Sequence, residues 1–243
     1  MTKTQQQTEF EAQLSSDREK ILSNIQKKFQ DKAIEGHLSG SLARGNPDAF
    51  SDIDIWFTLT EENTAEILEN RFKYYAEIGE ILHICEPPQN APIDGVHSAL
   101  LIKTSECITV VDLYLCPLST AYIPSEGKKL FGIDLPFGSI GYNPKKVTVN
   151  NDYRVDFFIC FIFNTIKKIV RNAEKPLEAV LLQYEYLSKN YQIPIEPLNN
   201  QGHDFFTLKQ IVENTKKIAN EKQRKILIVI SDFIKKVETV LKT

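Results

Sequence analysis

Apolar and polar positions alternate along this chain in two distinct regimes. From about Phe10 to Phe29, the residues Phe10, Leu14, Ile21, Ile25 and Phe29 recur near helical spacing among charged neighbours, which predicts an amphipathic helix. The apolar residues then close up into short runs. Ala33 to Leu38 reads as a strand broken by Gly40 and Ser41, with a loop carrying Gly45, Asn46 and Pro47 behind it. Ser51 to Leu59 alternates at its start, the period of a half-buried strand. Thr60 is placed to cap a helix over Glu62 to Gly79, with Glu61 and Glu62 near the positive end of its dipole. Ile81 to Cys85 reads as a strand closed by Pro87 and Pro88. Ser98 to Lys103 and Cys107 to Cys116 are rich in β-branched and aliphatic residues and predict a hairpin turning at Thr104 to Glu106.

After Pro117 the pattern changes. A Pro- and Gly-bearing connector runs to Asn150, and helices are predicted over Asp152 to Asn172, Pro176 to Asn190, Phe206 to Ala219 and Lys222 to Lys242. Three dilysines, Lys167-Lys168, Lys216-Lys217 and Lys235-Lys236, fall on these helices; the last two read as solvated faces, and the first as a solvated face or a reach toward a bound anion. The expected fold class is therefore α+β. A sheet-bearing part (1–120) precedes a connector (121–150) and an all-helical C-terminal part (151–243), with a cleft expected between the two parts.

Composition narrows the function classes. With 42% apolar and 25% charged residues among 243, the chain is ordinary globular material with enough length for a sizeable core. A net charge of -3 supplies no chain-wide basic field, which argues against a dedicated binder of long nucleic acid. Cys85, Cys107, Cys116 and Cys160 form no CxxC pair and read as small buried hydrophobes in a reducing compartment rather than as a zinc site or a thiol nucleophile. The polar start MTKTQQQTEFEAQ has no signal-peptide core, and the apolar stretch Phe157 to Phe163 is too short to span a bilayer. The expected compartment is the cytoplasm, with no membrane partner.

The chemistry concentrates between Gly40 and Ile55. Asp52 and Asp54 are two apart in a predicted strand, so their carboxylates project from one face while Ile53 and Ile55 point into a core. Two such charges repel and are costly to desolvate, and a divalent cation relieves both costs; an all-oxygen donor set suits Mg²⁺. Upstream, Gly40 lets the backbone approach a phosphate closely, and Ser41 adds a hydroxyl beside backbone N–H groups; a helical turn over Leu42 to Gly45 would add the partial positive charge of its N-terminus. A bulky residue at Gly40 is thus expected to block binding of the phosphate-bearing ligand with the carboxylates left intact. Arg44 has two readings, a phosphate ligand or brace for Asp52 and a plain salt bridge. A third carboxylate is expected from Asp112, which interrupts the buried-strand run Ile108 to Leu115; the alternative is a half-exposed strand with Thr109, Asp112 and Tyr114 near solvent.

The ordered set Gly40-Ser41, ten residues, Asp52-Ile53-Asp54, and a later strand Asp resembles the signature of the DNA polymerase β-like nucleotidyltransferases over roughly Ala33 to Cys116. Within that superfamily the start Gly40-Ser41-Leu42-Ala43-Arg44-Gly45, the length and the helical second part resemble the bacterial antibiotic nucleotidyltransferases that act on aminoglycosides or lincosamides. The aromatic-rich stretch Phe157 to Ala179, with Arg171 and Glu174, resembles their second domain, although Asn172 stands where a glycine is usual. The resemblance implies a nucleotidyltransferase-type mixed β-sheet with flanking helices, followed by a helical bundle. It also implies two Mg²⁺ ions held by Asp52, Asp54 and Asp112, and ATP or another NTP as co-substrate. An acceptor hydroxyl displaces pyrophosphate in line from the α-phosphate. Gly40, Ser41 and Arg44 are then the nucleotide-binding residues. The general base is Asp112 itself or a glutamate of the helical part, with Glu174, Glu178 and Glu185 as candidates. Of the four histidines only His37 is expected near this site, as a packed or exposed strand residue. The expected partners are a nucleoside triphosphate and a small-molecule acceptor; transfer to RNA or protein, and a non-enzymatic assembly module, are the competing readings.

Overall fold

The computed structural model describes residues 4–105, 107–123, 126–136, 138, 151–191 and 204–242. Two compact units divide the chain: residues 9–147 form one, and residues 1–8 with 148–243 form the other.

The first unit is built on a six-stranded sheet in the order β3-β4-β5-β2-β1-β6. Its strands are β1 (Glu35–Leu38), β2 (Ile53–Leu59), β3 (Glu80–Cys85), β4 (Val96–Lys103), β5 (Ile108–Pro117) and β6 (Lys128–Gly132). Only β2 and β5 pair in parallel, so the sheet is mixed. The helices of this unit are α1 (Gln5–Phe29, whose first residues group with the other unit), the five-residue α2 (Gly40–Arg44) and α3 (Glu61–Ala76). One sheet face carries Ile53, Ile55, Phe57, Leu59, Leu100, Ile102, Val111, Leu113 and Leu115, and packs with Ile21, Ile25 and Phe29 of α1 and Ile67 and Tyr75 of α3. Period two in the strands and period 3.6 in the helices thus meet in one core. The cap on α3 forms as its sequence predicts: the backbone N–H of Asn63 donates to Thr60 Oγ1 at 3.3 Å.

Three local features depart from the sequence-based expectation. The helical turn considered over Leu42 to Gly45 starts earlier, at Gly40, as α2, and is closed by Gly45 in the left-handed region at φ 74°. β6 lies inside the stretch read as a connector and adds an edge strand against β1, where a register shift falls between Gly36 and His37. Its sequence KKLFG holds one apolar pair and two lysines, too little alternation to announce a strand. Finally, β2 is buried on both faces apart from Asp54, not half-buried, because Trp56 and Thr58 are covered as fully as Ile55 and Phe57. Glu106, in the predicted hairpin turn, and most of the second half of the predicted connector lie outside the described residues.

The second unit contains α4 (Asn151–Val170), α5 (Glu178–Tyr191), α6 (Asp204–Ile218) and α7 (Glu221–Lys242). Asn172, after the end of α4, sits at φ 50°, a left-handed conformation that favours glycine and that Asn tolerates better than most other residues. Lys168 is exposed as expected, whereas Lys167 is buried, so that dilysine is not a wholly solvated face. No helix among the described residues is long and apolar enough to cross a membrane.

Candidate metal and nucleotide site

The site grows from the register of two neighbouring strands. Parallel pairing sets Asp54 beside Asp112, Trp56 beside Tyr114 and Thr58 beside Cys116, so the polar members of β2 and β5 share one face. Asp52 precedes β2 by one residue and points to the same side. Asp52, Asp54 and Asp112 each offer a carboxylate oxygen such that all three oxygens lie within 4.8 Å of one another, and all three side chains are half-buried. An oxygen-only set at this spacing, with each carboxylate partly withdrawn from water, fits a hard divalent cation, which would offset their mutual repulsion.

The loop that delivers Asp52 is tied down at both ends. Asp48 Oδ1 accepts from the Phe50 backbone N–H at 2.9 Å and from Ser51 Oγ at 3.1 Å, an Asx-type turn that orders the approach to β2. From α1, the buried Arg18 donates from Nη1 to the Asp48 carbonyl at 2.5 Å. Burial pulls the Arg18 guanidinium below its ordinary range, while Glu19, Asp48 and Asp52 pull it back up. Arg18 is therefore the cation set against the Asp52 loop. Arg44 is in a salt bridge in this structure: Nη1 donates to Glu126 Oε2 at 2.7 Å, with both side chains exposed.

Gly40 abuts the same carboxylates. Its φ is 63°, and a Cβ placed there would come within 2.1 Å of Asp54 Oδ2. The space left by the missing side chain is occupied by Asp54 itself, so filling it displaces a carboxylate. A bulky residue at Gly40 is thus not a change that leaves the carboxylates intact. Ser39, at the start of α2, donates its backbone N–H to the Asp54 carbonyl at 2.9 Å, and Ser41 is half-buried in α2.

The register puts three histidines, His37, His83 and His97, on this face. His37 is packed, its Nδ1 3.0 and 3.2 Å from the Glu35 carboxylate oxygens, and Thr58 Oγ1 donates to Glu35 at 3.1 Å. The histidine that reaches the carboxylates is His97, with Nε2 2.8 Å from Asp112 Oδ1, which overturns the expectation that His37 alone would lie near the site. The signal was present but faint: His97 stands one residue before the predicted start of β4, and only the β4–β5 register carries it to Asp112. Of the three residues in the half-exposed-strand alternative for β5, Thr109 is buried, whereas Asp112 and Tyr114 are the two half-buried positions of the strand. Burial pushes the Cys116 thiol up to about 12, and none of the four cysteines is in a disulfide, so Cys116 is an inert packing residue. Glu174, Glu178 and Glu185 all belong to the helical unit and are exposed; Glu185 pairs with Lys189 at 2.8 Å.

Residues 18–106 match the family model of the nucleotidyltransferase domain. The sheet unit carries a nucleotidyltransferase domain. That domain brings the chemistry class of an enzyme that transfers nucleotidyl groups, and it supplies Asp52 and Asp54. Asp112 lies beyond the matched segment and joins them through the β2–β5 register. No curated protein matches the chain significantly. Among solved structures, the chain is similar to the Elizabethkingia meningoseptica CdnE cyclic dinucleotide synthase with GTP and Apcpp, at 13% identity over 94% of this chain and 92% of that one. The TM-score is 0.28, a superposition too loose to assign substrate or acceptor.

Proposed function

We propose that this nucleotidyltransferase moves a nucleoside monophosphate, AMP from ATP, onto a hydroxyl of a small molecule of the aminoglycoside or lincosamide kind, releasing pyrophosphate. The observation that carries the reading is the convergence of Asp52, Asp54 and Asp112, one oxygen of each within 4.8 Å of the others. These are the residues that would hold Mg²⁺. A divalent cation held there would supply charge neutralisation for the triphosphate and for the developing pyrophosphate. Gly40, Ser41 and Arg44 are assigned to the triphosphate; Arg44 would have to exchange Glu126 for a phosphate oxygen. Asp112 is assigned as proton acceptor for the attacking hydroxyl in preference to Glu174, since it is the carboxylate already within the cluster. The acceptor class is supported by the Gly40 to Gly45 resemblance and by the net charge of -3, which offers little to an RNA acceptor.

A screen of ATP, GTP, CTP and UTP with Mg²⁺ against aminoglycosides, lincosamides, tRNA and protein acceptors tests this directly. The expected result is pyrophosphate release with a mass gain of one AMP on an antibiotic. AMP transfer confined to RNA or protein would replace the acceptor assignment, and pyrophosphate release that persists in chelator would sink the metal reading.

A further inference from the structure

Asp112 has a built support behind it. β4 pairs His97 with Tyr114 and Ala99 with Asp112, which sets His97 diagonally across from Asp112 on the same face. The His97 side chain is 4% exposed against 24% for Asp112. Its ring stacks on Tyr114 at 4.3 Å between centroids and 15° between planes, and Tyr114 stacks on Trp56 at 3.9 Å and 3°. Trp56 belongs to a small apolar cluster with Cys116, Ala121, Ile123 and Leu135, so the stack is anchored in packed residues. The ring plane of His97 is therefore fixed, and fixing it aims Nε2 at Asp112.

The proton position follows from hydrogen-bond accounting. His97 Nδ1 is buried and has no hydrogen-bond partner among the described residues. A buried ring nitrogen without a proton costs less than a buried N–H without an acceptor, so the proton sits on Nε2, which donates to Asp112 Oδ1. A carboxylate held by one such donor loses its freedom to rotate about Cβ–Cγ.

We propose that His97 is the positioning residue that orients the Asp112 carboxylate toward Asp52 and Asp54, and so sets how tightly the cluster holds a divalent cation. The inference rests on the metal reading above. Hydrogen-bonding partners of ligating groups typically govern metal affinity over about 10–100-fold.

The test uses the full-length protein and Mn²⁺ alone, titrated by electron paramagnetic resonance, with thermal unfolding measured beside it. His97→Phe keeps a ring to stack on Tyr114 and removes the donor. His97→Gln returns an N–H near the position of Nε2. The expected result is Mn²⁺ affinity about tenfold or more weaker in His97→Phe, recovered to within about threefold of wild type in His97→Gln, with both variants folded at the assay temperature. Wild-type affinity in a folded His97→Phe overturns the proposal, and so does equal weakening in both variants. A wild-type protein that binds no Mn²⁺ would bring down the metal reading itself, a result distinguishable from either.

Discussion

One sheet presents two faces made from alternate residues of the same strands, and they are held together by different physics. On the inner face Ile53, Ile55, Phe57 and Leu59 of β2 meet Val111, Leu113 and Leu115 of β5, all essentially without exposure. Any apolar residue of the right volume satisfies such a face, because burial is rewarded by area and not by direction. On the other face the intervening residues are Asp54, Trp56 and Thr58 beside Asp112, Tyr114 and Cys116. Here each polar group depends on a particular neighbour: Asp112 on His97, and Glu35 on His37 and Thr58. A strand's period of two therefore separates stability from chemistry along a single segment, and changes on one face should leave the other's property standing.

The largest expected effect is on the polar face. Asp54→Asn removes one charge from the carboxylate cluster, and loss of several kcal/mol of charge stabilisation predicts a fall in transfer on the order of a thousandfold. Its thermal midpoint should stay level or rise, since like-charge repulsion is relieved. Pyrophosphate release and calorimetry read the two properties; a parallel collapse of stability would break the division. Next, Leu113→Ala on the inner face should cost about 3 kcal/mol of unfolding free energy in denaturant titration. Mn²⁺ affinity of the folded protein should be unchanged, although Leu113 is adjacent to Asp112 in sequence. Gly40→Ala crosses the boundary: strain at φ 63° and a clash with Asp54 should cost about 1–2 kcal/mol and weaken Mn²⁺ binding together. Unaltered Mn²⁺ affinity in that variant would mean that Asp54 moves aside freely. The smallest effect is far from the carboxylates. Thr60→Ala removes the cap of α3 and should lower stability by about 1 kcal/mol with Mn²⁺ affinity unmoved.

How much was legible in the sequence follows the same division. The inner face announced itself, because runs such as IDIWFTL and ITVVDLYLC carry their own periodicity. The three aspartates were legible too: Asp112 breaks an apolar run where a lone charge is costly, and Asp52 and Asp54, two apart, put like charges on one strand face. What the sequence did not display were the partnerships that depend on register. His97 meets Asp112 only through the β4–β5 pairing, and Arg18 meets Asp48 from 30 residues away, inside a helix whose apolar stripe drew the attention. Arg44 sits where a brace for Asp52 would be expected, yet Arg18 takes the Asp52 loop and Arg44 pairs with Glu126. β6 was illegible because an edge strand needs little side-chain burial on either face and so leaves little pattern.

The central claim is that Asp52, Asp54 and Asp112 act together as one divalent-cation site. A crystal structure of the full-length protein with Mn²⁺ and a non-hydrolysable NTP, with the ion located by its anomalous scattering, tests it most directly. The account predicts density bonded to oxygens of all three carboxylates, with the triphosphate lying toward Gly40 and Ser41. Mn²⁺ bound elsewhere, or bound without Asp112, would contradict it.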